Sequence, residues 1–220
     1  MANLLIFGAG AMARMAHHYF THDSPHDVVA FVVDRQFRRG DQFLGLPLSD
    51  WEDAPGAYPP SEFMMFVAIG YTRMNGARQE KYAAAKAAGY RLASYVSSHC
   101  RYLSSTPPGE NCMIFEDNTI QPFVRIGNNV TLWSGSVIGH DSVVEDHCFI
   151  APHVAVAGHV RIGERSFIGI NATIRNSVSI AVQTLVGAGA LIVKDTTAKG
   201  VYLSEPARLF EKSSDEVEPG

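Results

Sequence analysis

The sequence predicts a small α/β lobe followed by a parallel β-helix, and three observations carry that prediction. Strand-like and helix-like segments alternate through the first half of the chain. From Ile114 through Leu132, Ile150 and Ile168 to Ile192, every sixth residue is aliphatic, fourteen positions without a slip in register. Four residues after each stands mostly a small or β-branched side chain, such as Val124, Ser136, Cys148 and Ala172.

The lobe reads in order as follows. Asn3–Phe7 is a short buried strand running into Gly8, Ala9 and Gly10. Residues 12–20 are helical in composition. "DVVAFVVD", ending at Asp34, and "EFMMFVAIG", residues 62–70, are two further strands. "MNGARQEKYAAAKAAG" is an alanine-rich helix stopped by Gly89, and "YRLASYV" supplies a fourth strand. Strands alternating with helices at this spacing make a small parallel sheet covered by helices.

The second half follows a different rule. Neither a helix nor an alternating strand has a period of six, whereas a coil with three flat faces per turn does. Each unit is then one short strand plus a corner, with its aliphatic residue pointing inward. Fourteen units at eighteen residues per turn stack into between four and five turns, burying one continuous column.

Composition excludes several function classes. The 220 residues are 46% apolar and 18% charged, enough for a substantial core. A net charge of −4 offers no basic footprint for nucleic acid or a membrane surface. Cys100, Cys112 and Cys148 lack C-x-x-C spacing and read as reduced thiols of a cytoplasmic protein. No apolar run is long enough to span a bilayer, and no signal peptide is evident. Residues 211–220 are an acidic tail without chemistry.

The period-six run resembles the left-handed β-helix of hexapeptide acyltransferases, and the left hand comes with the resemblance. With "LIFGAGAMA" in front and "GVYLSEPARL" behind, residues 3–210 resemble the sialic-acid O-acetyltransferase type of sugar acyltransferase. That type includes the N-acetyltransferases of nucleotide-linked 4-amino sugars, of the bacillosamine and perosamine kind. The resemblance implies a half-Rossmann-like nucleotide-sugar lobe over 1–105, a left-handed β-helix over 106–197 and an extension over 198–220. It also implies a cytoplasmic homotrimer with active sites between neighbouring coils. Acetyl-CoA is then the co-substrate, no metal is expected, and the pathway is surface-glycan or lipopolysaccharide biosynthesis.

Four histidines crowd the segment 137–174. His147, His153 and His159 each lie three residues after an inward aliphatic, so they fan apart on three successive corners and do not converge within one chain. His140 follows Gly139 and precedes Asp141. In the resembled family a histidine in this place is the general base. An amine or hydroxyl attacking a thioester must lose its proton as the bond forms, and a neutral imidazole is suited to accept it at neutral pH. Asp141 would fix the tautomer and stabilise the imidazolium. Neighbours on a straight strand point to opposite faces, so this contact needs a bent corner or a second subunit.

By resemblance the Gly158 N–H is the oxyanion donor. Gly158, Ile170 and Ala188 would line the pantetheine arm, with His147 or Phe149 near the acyl group. Phe149 stands where many relatives carry a second histidine, for which His147 is a candidate substitute. In the lobe, Gly10, Ala11, Met12, Asp34, Arg35 and Gly70 match the positions that hold the nucleotide part of the acceptor. A glycine turn at a helix N-terminus does suit phosphate, although four strands and no second half argue against a dinucleotide dehydrogenase. Trp133 should point outward, as subunit interface or sugar platform.

The function expected is transfer of acetyl from acetyl-CoA to the amino group of a nucleotide-linked amino sugar. Three alternatives stand beside it: O-acetylation of sialic acid or another sugar, a zinc-dependent hydratase of the γ-carbonic-anhydrase type, and a non-catalytic sugar-nucleotide binder.

Overall fold

The computed structural model describes residues 2–217. Its lobe is a six-stranded sheet in the order β3-β4-β2-β1-β5-β6. The strands are β1 (Asn3–Phe7), β2 (Asp27–Val33), β3 (Gln42–Phe43), β4 (Leu46–Asp50), β5 (Phe63–Val67) and β6 (Arg91–Leu92). All neighbours are parallel except β3 and β4. The helices are α1 (Ala11–His22), α2 (Ala54–Ala57) and α3 (Gly76–Ala87).

The central strands are apolar throughout because both of their faces are covered. Leu4, Ile6, Phe31 and Phe66 pack with Ala13, Ala16 and Phe20 of α1. Leu5, Phe7, Val32 and Met65 pack on the opposite side with Ala85 and Tyr90. The sequence reading missed β4, whose Pro47 argues against a strand. Proline is tolerated there because, among the described residues, the only strand on that side is the two-residue antiparallel β3. The expected fourth strand divides in two. Arg91–Leu92 completes the lobe sheet, and Tyr95–Val96 already pairs with Met113–Ile114 of the coil.

The second half is a three-faced parallel β-helix whose two-residue strands pair one turn apart, as Ile138 with Val156 and Val144 with Ile162. The lobe face runs through Met113–Ile114, Thr131–Leu132, Phe149–Ile150, Phe167–Ile168 and Leu185–Val186. The apolar face runs through Thr119–Ile120, Val137–Ile138, Ala155–Val156, Thr173–Ile174 and Leu191–Ile192. The charged face holds Arg125–Ile126, Val143–Val144, Arg161–Ile162 and Ser179–Ile180. The predicted aliphatic column is the buried interior. The small-residue column is buried too, and its hydroxyls do structural work: Ser136 and Ser142 accept the Val154 and Val160 N–H groups of the next turn at 3.0 Å.

The coil exceeds its expected limits of 106–197 at both ends. Val96 and Tyr102 continue the interior column upstream, and Pro107 and Pro108 interrupt the pattern that would have revealed this. Val201–Tyr202 joins the lobe face downstream, sixteen residues after its partner Leu185–Val186 rather than eighteen, so the period is lost there.

Every sixth residue from Asn111 to Gly189 has a positive φ, between 56° and 74°. These fourteen corners turn the chain from one face to the next. Left-handed backbone is tolerated best by Gly, Asn, Asp and His, which fill ten of the fourteen. The density of histidines in this segment therefore has a backbone cause: His147, His153 and His159 are corner residues.

Candidate active site

His140 sits on the edge between the apolar and charged faces, the edge opposite the lobe face. Its backbone N–H donates to Gln121 Oε1 at 2.9 Å. Asp141 occupies the corner with φ 58°, which bends the chain enough for neighbours in sequence to meet. His140 Nδ1 lies 2.8 Å from Asp141 Oδ2 within one chain. An ionised carboxylate only accepts, so in the neutral ring the proton is on Nδ1 and Nε2 carries the free lone pair. Both side chains are about half exposed, at 52% and 43%.

The turn above completes this corner. A Cβ added to Gly158 would lie 2.6 Å from His140 Nε2, so the imidazole rests directly over that glycine. His159, eighteen residues beyond Asp141, presents its ring edge-on to His140 with centroids 5.0 Å apart. Its nearness was readable from the eighteen-residue turn and was missed. Ligand atoms of His140, Asp141 and His159 lie within 4.8 Å of one another, the one such group among the described residues.

A second site lies in the lobe, a cleft of about 860 Å³ lined by Gly10, Ala11, Met12, Asp34 and Gly70 among others. Gly8 shapes its floor: its φ of +129° and the Ala68 carbonyl 2.8 Å from any Cβ both demand glycine. Gly10 caps α1, whose first turn holds no acid, so unpaired N–H groups and the positive end of the helix dipole meet at the cleft. Asp34 is ion-paired with Lys81 of α3, another lining residue and one that the sequence did not single out. Arg35 is not brought into the cleft. Its guanidinium turns away to donate to Asp50 and Asp53, both at 2.9 Å.

Two expected cofactor contacts are also placed elsewhere. His147 is 7% exposed on the edge between the charged and lobe faces. Its Nδ1 accepts from Asn129 Nδ2 at 2.8 Å, and its ring packs against Tyr82 of α3. Burial pushes its pKa below the ordinary value. Phe149 is 4% exposed, stacked on Phe167 and covered by Tyr71. The lobe settles on this part of the coil, so neither residue shares the His140 edge. Trp133 likewise stacks on Phe115 and packs into the lobe core rather than standing free. Ile170 and Ala188 are exposed, on the edge between the lobe and apolar faces, one turn apart. Gly158 and this pair thus flank the apolar face from its two sides.

A model of the bacterial transferase hexapeptide, six repeats, matches residues 109–140, 123–158 and 141–176. Serine acetyltransferase 2 of Arabidopsis thaliana is 31% identical over 101 residues, covering 41% of this chain and 31% of that protein, so the chain spans about a third of its length. The acetyltransferase domain of PglB from Neisseria gonorrhoeae superposes with a TM-score of 0.83 at 22% identity, over 96% of this chain and all of that one. PerB from Caulobacter crescentus, solved with CoA and GDP-perosamine, gives 0.81 at 26% identity over 94% and 97% of the two chains. WeeI from Acinetobacter baumannii gives 0.78 at 21%, over 96% and 100%. Residues 109–176 thus match the six-repeat hexapeptide model of bacterial transferases, and lobe and coil together have the fold shared by these three structures.

Proposed function

We propose that the protein transfers acetyl from acetyl-CoA to the amino group of a nucleotide-linked amino sugar, as a cytoplasmic homotrimer in surface-glycan biosynthesis. The observation that carries this reading is His140 itself, with Nδ1 on Asp141 and Nε2 free above Gly158. Such a pair is built to take a proton beside a polarised carbonyl. PerB, solved with CoA and GDP-perosamine, supports the choice of substrates. No helix among the described residues is long and apolar enough to cross a membrane.

His140 Nε2 accepts the proton of the attacking amine as the N–C bond forms. Asp141 stabilises the imidazolium. The Gly158 N–H donates to the carbonyl oxygen as negative charge develops there. As the C–S bond breaks, His140 returns the proton to the departing thiolate. Direct transfer is favoured because desolvation pushes all three thiols up, Cys100 to about 11 and the buried Cys112 and Cys148 to about 12, leaving no ready thiolate nucleophile. The lobe cleft holds the nucleotide diphosphate at the N-terminus of α1, where Gly10, Ala11 and Met12 surround it and Asp34 meets the base or ribose.

The His140 edge lies opposite the lobe face, so one chain's cleft and its own imidazole stand on opposite sides of the coil. A second copy must bring its cleft to His140. Gly158 of one copy and Ile170 and Ala188 of the next would then border the acetyl-CoA channel.

Release of free thiol from acetyl-CoA, measured against UDP-, GDP- and dTDP-linked amino sugars, tests the reading. His140→Ala should lower turnover by about 10²–10⁴-fold. Turnover surviving within a few-fold would remove His140 as the base, and acetylation of free sialic acid alone would remove the N-acetyl reading. The grouping of His140, Asp141 and His159 favours one second reading, a zinc-dependent hydratase. Stoichiometric zinc in the purified protein, with CO₂ hydration in place of thiol release, would establish it.

A further inference from the structure

The wall of the cleft between β5 and α3 is held by the coil as well as by the lobe. Arg73, Met74 and Asn75 have φ of 55°, 50° and 63°, three consecutive non-glycine residues in left-handed conformation. L-residues visit this region singly and at a cost, so such a run persists only where its surroundings over-determine it. Here Arg73 is ion-paired with Glu80 of α3, and the remaining side-chain anchors come from the coil. Asn75 is fully buried, and its Nδ2 donates to the Arg165 and Ser166 carbonyls at 3.2 Å. The Arg165 guanidinium in turn donates to the Arg73 and Met74 carbonyls, both at 3.2 Å. A Cβ at Gly76 would lie 2.8 Å from Arg165 Nη2, so a side chain there would push the guanidinium aside.

Arg78 completes the arrangement from below. It is 2% exposed and no carboxylate pairs with it among the described residues. Its N–H groups donate instead to four carbonyls: Gly70 at 3.1 Å, His147 and Cys148 at 3.0 Å, and Asn129 at 3.2 Å. Phe149 offers its ring at 5.9 Å. A buried cation without a counter-ion is costly, and a cation in the first turn of a helix opposes the helix dipole. Arg78 is both, since α3 begins at Gly76. Three of its carbonyl partners are on the coil, and the fourth, Gly70, lines the cleft. Thr72 and Arg73 line it as well.

We propose that Arg78, Arg165 and Asn75 are positioning residues that fix the Gly70–Asn75 wall of the cleft to the coil, so that the acceptor's nucleotide is bound in a set place relative to the coil. This rests on the nucleotide-sugar reading of the cleft. The wall is then a strained segment whose shape exists only while the coil grips it, and loosening the grip should weaken nucleotide binding while leaving the His140 edge intact.

The test compares Arg165→Ala, Arg78→Met and Asn75→Gly with the wild type in the full chain. Glycine takes φ 63° without strain, so Asn75→Gly removes the amide anchors while sparing the fold. Calorimetry with UDP, GDP and dTDP should show Kd for the preferred nucleotide rising about tenfold or more in each folded variant, since displacements of about 1 Å are costly at such sites. KM for the nucleotide sugar should rise in parallel. KM for acetyl-CoA should stay within about twofold, and Arg165→Lys should recover part of the loss by restoring one donor. A purely structural role would lower the melting temperature and the active fraction with both KM values unchanged, and that result would overturn the proposal. So would unchanged Kd in the folded variants. A wild type that binds none of the three nucleotides would overturn the nucleotide reading of the cleft itself, and the positioning role with it.

Discussion

At the scale of single residues, the corner conformation decides what each histidine can do. Asp141 reaches its sequence neighbour because φ 58° turns the chain between them, the bent-corner alternative left open by the sequence. Gly158 is a glycine for a different reason. Its φ is not positive, but a side chain there would meet His140 Nε2. Gly158→Ala should therefore fold with a near-wild-type melting temperature and lose at least about tenfold in thiol release, because the exposed imidazole is displaced from its place over the amide. Loss of fold instead of loss of rate would show that the glycine serves the coil. The period places His140, Asp141 and Gly158 on one corner, but the roles given to them came from the resemblance and not from the spacing. For His147 and Phe149 the period identifies edge and face but is silent on what covers them, and the covering residues Tyr71 and Tyr82 come from a part of the chain with no repeat.

At the scale of elements, α3 is one of the places where lobe and coil are joined, and it buries a titratable group. His147 stays neutral between Asn129 and Tyr82, with a folded pKa pushed below the unfolded value of about 6.5 by desolvation. In the window between these two values the unfolded chain binds a proton that the folded chain does not, so stability falls as pH drops below about 6.5 and is fully present above it. One such proton contributes a slope of about 1.4 kcal/mol per pH unit. His17 and His26 are shifted the same way by burial and add to the effect. Replacing His147 with Asn, which suits the left-handed corner, should flatten melting temperature against pH below about 6.5 by one proton's share. An unchanged slope would assign the acid sensitivity to the other two. Sequence periodicity located the coil strands but shortened the coil, and composition located two of the helices. Proline pairs and a two-residue change of offset erase the pattern without ending the ladder.

At the scale of the whole molecule, the three faces of the coil have three fates. The lobe covers one. Arg125, Arg161 and Glu145 mark the charged face, with an ion pair between the last two. Val137, Ala155, Thr173 and Leu191 give the remaining face an uncharged, exposed outer surface with no cover among the described residues. It lies between the His140 edge and the edge carrying Ile170 and Ala188, where the proposed trimer would seat a neighbouring copy. None of this assembly was legible as geometry in the sequence, since period alone does not say which face the lobe occupies. The most direct measurement of the central claim is activity of hybrid oligomers, co-expressed with two tags and purified through both. One chain carries His140→Ala. The other carries Gly10→Glu, which places a carboxylate in open space at the N-terminus of α1, where the nucleotide phosphates would sit. Each variant alone should be nearly inactive. In a mixed trimer one of three interfaces joins an intact imidazole to an intact cleft, so thiol release should return to about a third of the wild-type rate. Hybrids no more active than either parent would contradict a site in which one copy's His140 serves its neighbour's cleft.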